Sequence, residues 1–136
     1  MFQVPTGCTK TQGWWKTHGN PDRVKKYDKT WDELSNGPDT YFFSSGSSYF
    51  KVLWTPPKEG NAFYILAHQY IAAELNQLTG TSFPEEVMQA FSDATDLFNA
   101  ASDDTIGDTD REEWINLSKV LDDYNNGLIG PEHCDD

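Results

Sequence analysis

The sequence is short of cysteine, short of positive charge and without a long apolar run. Two cysteines stand among 136 residues, ten basic residues face twenty-two acidic ones, and the net charge is −12 with histidine neutral. Two cysteines cannot make the disulfide cage of a coreless miniprotein, and a chain of this length can bury a core without one. So acidic a chain repels phosphate backbones and anionic lipid, which excludes nonspecific nucleic-acid binding and disfavours membrane surfaces. No apolar stretch approaches the ~20 residues of a spanning helix, so no transmembrane segment is expected. Catalytic signatures are missing as well: there is no H-E-x-x-H, no G-x-S-x-G and no P-loop. None of the three histidines is followed by aspartate, so the His-Asp dyad of small secreted phospholipases is not present. A glycosidase needs two opposed carboxylates, and twenty-two acids make any nominated pair arbitrary.

Aromatic residues are abundant instead, with five Trp, six Tyr and eight Phe. That composition argues for a packed core rather than disorder. The pattern predicts a mainly α chain, a single helical domain over 1–136 with three main helices and an irregular, aromatic-rich first half. Residues 1–20 show no sustained period. Asn20-Pro21 reads as a cap opening a short helix to about Tyr27. Thr30-Trp31-Asp32-Glu33 reads as a capping box for a further turn or two. Tyr49 to Trp54 suits a short strand or helix, broken by Thr55-Pro56-Pro57. Asn61 to about Leu78 is apolar on most of its circumference, which places that helix inside. Ser82-Phe83-Pro84-Glu85 caps a second helix to about Ala101, striped by Val87, Phe91, Ala94, Leu97 and Phe98. Thr109 to Glu112 caps a third, with Trp114, Leu117, Val120, Leu121 and Tyr124 inward and Asn126-Gly127 as its stop.

Cys8 and Cys134 lie near opposite ends, outside any Cys-x-x-Cys motif. One cysteine at each end is what a terminal staple needs, and pairing implies an oxidising compartment. The alternative is two unrelated buried thiols. Met1 to Gly7 lacks the apolar run of a secretion signal, so the chain reads as starting at a mature end.

Cys8-Thr9-Lys10-Thr11-Gln12-Gly13-Trp14-Trp15-Lys16-Thr17-His18 resembles the opening of a family of secreted domains with the motif C-T-x-T-Q-G-[YW]-W-K-x-H. Val52 to Pro57, Gly60-Asn61 and Leu66 to Ala73 resemble the middle of such domains. Tyr124 to Gly127 and Gly130-Pro131-Glu132-His133-Cys134 resemble their G-P-x-H-C end. Trp14 stands where tyrosine is the commoner residue. The resemblance implies a free-standing or appended extracellular module and carries over no catalytic residues.

Three groups of residues remain as candidate sites. Asp103, Asp104, Asp108, Asp110, Glu112 and Glu113 invite a calcium reading, but neither register of the loop places glycine at the sixth position. Acids around a helix start also follow from the helix dipole. Trp14 and Trp15 are adjacent, so at most one can point fully inward, and the other is a candidate ligand contact such as a sugar platform. His18 and His133 would be drawn together by a Cys8–Cys134 bond, with His68 reaching them from the central helix. Three imidazoles would make an open zinc or copper site; otherwise no cofactor is expected. Taken together, the sequence suggests an acidic extracellular binding or assembly module. Its partner would be extracellular matrix, polysaccharide, a mineral or divalent-ion phase, or copies of itself. The alternatives are a small metal-dependent enzyme using the histidines, or a carbohydrate-binding module using an exposed Trp.

Overall fold

The computed structural model describes residues 6–23, 25–101 and 111–134. Among the described residues five α-helices order the chain: α1 Gln12–Thr17, α2 Tyr49–Leu53, α3 Ala62–Leu78, α4 Glu85–Ala100 and α5 Arg111–Asn125. Single 3-10 turns at Lys29–Glu33, Gly37–Asp39 and Lys58–Gly60 punctuate the first half, and no strand longer than an isolated bridge occurs among the described residues. The mainly α class, the three long helices and the irregular first half are as the sequence predicts.

α3 is the axis of the fold. It opens where Asn61 accepts a hydrogen bond from the Phe63 N–H, and it closes at Thr79 before Gly80, whose φ is 97°. Ten of its seventeen residues are buried, so it has no solvent face long enough to stand alone. It contacts each of the other four described helices; α4 also packs on α5, and α1 on α2. The core between them is largely aromatic. Phe42 has no exposed surface, and the rings of Phe43, Tyr49, Phe63, Tyr70 and Phe98 lie 4.8–6.1 Å from its own, mostly edge to face.

Cys8 and Cys134 are disulfide-bonded, with their Cα atoms 4.8 Å apart. The ends are also zipped by backbone: Thr9 donates to the Glu132 carbonyl at 3.0 Å, and Cys134 donates to the Thr9 carbonyl at 2.8 Å. Gly127 lets the last segment return. Its φ is +77°, and a Cβ there would overlap the His133 backbone nitrogen.

Local structure departs from the sequence expectations in four places. The described residues of 20–27 form turns rather than a helix: the Asn20 side chain accepts from the Asp22 N–H, and the Arg23 N–H donates to the Asn20 carbonyl. The cap at 28–33 is Asp28, which accepts from Thr30 N–H at 2.8 Å and opens a 3-10 turn. Ser82 does not cap α4. Pro84 holds that place without a side-chain bond, while Ser82 pairs with the backbone of Thr6. The first twenty residues do contain a helix, α1, capped by Thr11. The cap expected at Thr109 and most of the acidic cluster, Asp103 to Asp110, lie outside the described residues; Glu112 and Glu113 are exposed in the first turn of α5.

Candidate functional site

The three histidines are each employed separately. The His18 ring stacks on Trp14, with centroids 3.8 Å apart, and its Nδ1 lies 2.7 Å from the Trp14 carbonyl. His68 is half-buried, and its Nε2–H is shared between the carbonyls of Val52 and Thr55, both at 2.9 Å. His133 is exposed and pairs through its backbone with Thr9. The disulfide does bring Cys8 and Cys134 together, but α1 then carries His18 away, about 9 Å along its axis at 1.5 Å per residue. Among the described residues no group of three or more His, Cys, Asp or Glu is placed to hold a metal ion. The expected trio of His18, His68 and His133 is therefore not assembled.

The tryptophan expectation fares differently at its two positions. Trp15 is fully buried, and its indole N–H donates to Asn76 Oδ1 at 3.1 Å. Trp14 is half-buried, with His18 stacked on its ring and the Lys10 ammonium 3.9 Å from its centroid. The indole that faces solvent most is another one. Trp54 is 47 % exposed, where Trp31 and Trp114 are buried.

Trp54 sits at the C-terminal end of α2, and the sequence holds it there by several short-range devices. Its N–H donates to the Phe50 carbonyl, the Thr55 hydroxyl donates to the Lys51 carbonyl at 2.6 Å, and Pro56-Pro57 prevents the helix from continuing. His68 ties the carbonyls on either side, those of Val52 and Thr55. The indole N–H reaches across to the Lys16 carbonyl at the end of α1, at 3.1 Å, and the Lys16 ammonium lies 4.4 Å from the ring centroid. A ring so tethered loses little further freedom on binding a ligand.

A cleft of about 300 Å³ opens beside this ring, lined by Lys16, Thr17, Asn20, Arg23, Phe50 and Trp54. A shallower basic surface continues from Arg23 to Lys25 and Lys26, with Asp22 at its margin. Among the described residues, neither Lys16 nor Arg23 has an ion-pair partner within 4.0 Å; the pair that forms nearby is Lys10–Asp28, at 3.8 Å. An aromatic wall with a few fixed polar groups is the usual make-up of a ligand cleft.

This cleft was legible in the sequence only through a signal that total charge conceals. Residues 1–58 hold eight of the ten basic residues and five of the acidic ones, whereas residues 59–136 hold two and seventeen. The first part is therefore net +3 and the second −15. An acidic protein thus presents its cleft on its basic part.

His68 gives the site a pH response. Burial pushes its imidazole below the usual range, although its two carbonyl partners oppose that shift. The unfolded chain then takes up this proton before the folded one does, so stability falls as pH drops below about 6.5. His68→Gln should flatten that part of the curve, read as urea midpoints between pH 7.5 and 5. An unchanged slope in the variant would assign the effect to other groups.

Tyr49 and half-buried Glu74 are joined by a 2.8 Å hydrogen bond from the phenol, and burial raises the Glu74 carboxyl. Tyr49 is only 7 % exposed and packs on Phe42, so this pair serves packing rather than a solvent-facing site.

The chain matches no protein-family model, no curated protein and no solved structure.

Proposed function

We propose that this chain is an extracellular, non-catalytic binding module that holds polysaccharide, with the Trp54 cleft as its contact face. The observation that carries the reading is an indole nearly half exposed yet fixed from both sides, with Lys16, Asn20 and Arg23 around it. Flat sugar faces pack on such rings, and neighbouring donors meet their hydroxyl groups. The disulfide suits an oxidising compartment, and no helix among the described residues is long and apolar enough to cross a membrane. The resemblance to secreted domains agrees with that location. A metal-dependent enzyme has less support, because His18 and His68 are spent on Trp14 and on the α2 end, and no group of three ligands is placed to hold a metal among the described residues.

The test is affinity electrophoresis or intrinsic-fluorescence titration against a panel of neutral and acidic polysaccharides. Trp54→Ala is expected to weaken retention at least about tenfold, as loss of a central aromatic anchor does, with thermal stability little changed. Equal retention of the variant, or no retention of the native chain by any member of the panel, would refute the reading. Copies of this chain could also meet basic part to acidic part, and sedimentation at low and high salt measures that separately.

A further inference from the structure

The residues around Trp54 are more selective than a general sugar platform needs. We infer that the Trp54 cleft, taken as the polysaccharide site proposed above, selects an anionic sugar, one bearing a carboxylate or sulfate ester, and that Lys16 is the residue that sets this preference.

The position of the Lys16 ammonium decides the preference. It covers the Trp54 ring at 4.4 Å while the Lys16 carbonyl holds the same indole by its N–H. A neutral sugar that stacks on the covered face must push the ammonium off the ring and offers it only uncharged hydroxyl acceptors in exchange. An anionic sugar draws the ammonium off the ring into a charge-assisted hydrogen bond, which is the stronger interaction. The ring face is then free for the pyranose, so stacking and charge pairing come as one event. Arg23 lines the same cleft without an ion-pair partner among the described residues, and its planar fork suits a carboxylate or sulfate. Lys25 and Lys26 extend the basic track beyond it. Asn20 supplies an amide for a ring hydroxyl.

The acidic part of the molecule limits which polyanion fits. With residues 59–136 at −15, a duplex carrying a charge every ≈ 1.7 Å is repelled wherever it extends past the cleft. A polymer with one charge per sugar ring is repelled less, and screening at physiological salt confines the effect to about 8 Å. A free inorganic anion would satisfy Lys16 and Arg23 but leave the indole uncovered.

Four probes separate the outcomes by calorimetry on the native chain: a galacturonate hexamer, its fully methyl-esterified form, a heparin-derived hexasaccharide and inorganic polyphosphate. The acid hexamer is expected to bind about tenfold more tightly than its ester, one charge-assisted bond's worth at a partly exposed site, with affinity falling as salt rises. Comparison with the heparin fragment tells carboxylate from sulfate, and preference for either over the neutral ester supports the inference. Lys16→Met should remove most of the preference, lowering acid binding far more than ester binding. Arg23→Gln should lower acid binding more than ester binding. If the native chain binds acid and ester alike, or Lys16→Met keeps the preference, the inference fails and the polysaccharide reading stands. Polyphosphate bound as tightly as the acid hexamer and insensitive to Trp54→Ala would overturn the inference in favour of a plain anion patch. Binding of no sugar at all would fail the underlying reading itself.

Discussion

Asn76→Ala is expected to lower the unfolding free energy by about 4 kcal/mol, at the edge of what single substitutions do. Asn76 is buried in α3, and its amide uses all four hydrogen-bonding sites. Its Oδ1 accepts from the Lys10 N–H at 3.0 Å and from the Trp15 indole at 3.1 Å. Its Nδ2 donates to the Lys10 carbonyl at 2.9 Å and to Asn125 Oδ1 at 3.0 Å. Asn125 in turn donates to the backbone and side chain of Gln69, both at 3.0 Å. One side chain therefore joins the first segment, α1, α3 and α5. Removing it strands several donors and acceptors away from water, each of which costs about 1–3 kcal/mol before relaxation. Urea unfolding followed by tryptophan fluorescence measures the loss. A cost below about 1 kcal/mol would mean that water replaces the amide and that this junction is not a keystone.

The second large effect belongs to the disulfide. Cys8 and Cys134 are 126 residues apart in sequence, so their bond closes almost the whole chain. On the chain-entropy model the loss on opening it is roughly 4–5 kcal/mol. The paired Cys8→Ser, Cys134→Ser variant should show that shift in urea midpoint, while its helical circular dichroism in buffer stays near the native value. The fold should survive because α3, α4 and α5 bury apolar faces against one another without help from the ends. A midpoint within about 0.5 kcal/mol of the native protein would show that the bond restrains the unfolded chain little and that the backbone pairing of Thr9 with the last segment holds the folded one alone.

The long helices were readable because their signals are local. Asn61 and Gly80 mark the ends of α3, and its apolar positions repeat from end to end, so neighbours in sequence decide the structure. α1 was not readable, since six residues carry no period; Trp15, inserted in the core and bonded to Asn76, holds it. Asn20-Pro21 failed as a helix start because an Asn side chain turns back on its own backbone as readily as it caps a helix. Ser82 failed as a cap because the first segment, far away in sequence, competes for the same hydroxyl. The site was less legible than the fold. Which tryptophan faces solvent depends on which has neighbours: Trp14 receives His18 and Lys10, Trp15 takes the core, and Trp54 is left facing solvent at the break before Pro56. Only the separation of charge between the two parts of the chain could have pointed to the cleft.

Entry of a ligand beside Trp54 is the central claim, and the five indole N–H resonances of the native chain test it most directly. Titration with a galacturonate hexamer should move the Trp54 indole signal, which reports its bond to the Lys16 carbonyl, together with the amides of Lys16, Thr17, Asn20 and Arg23. The Trp31 and Trp114 indoles, both in the core, should stay in place. A still Trp54 signal at saturating sugar, or shifts gathered on α4 and α5 instead, would contradict the account.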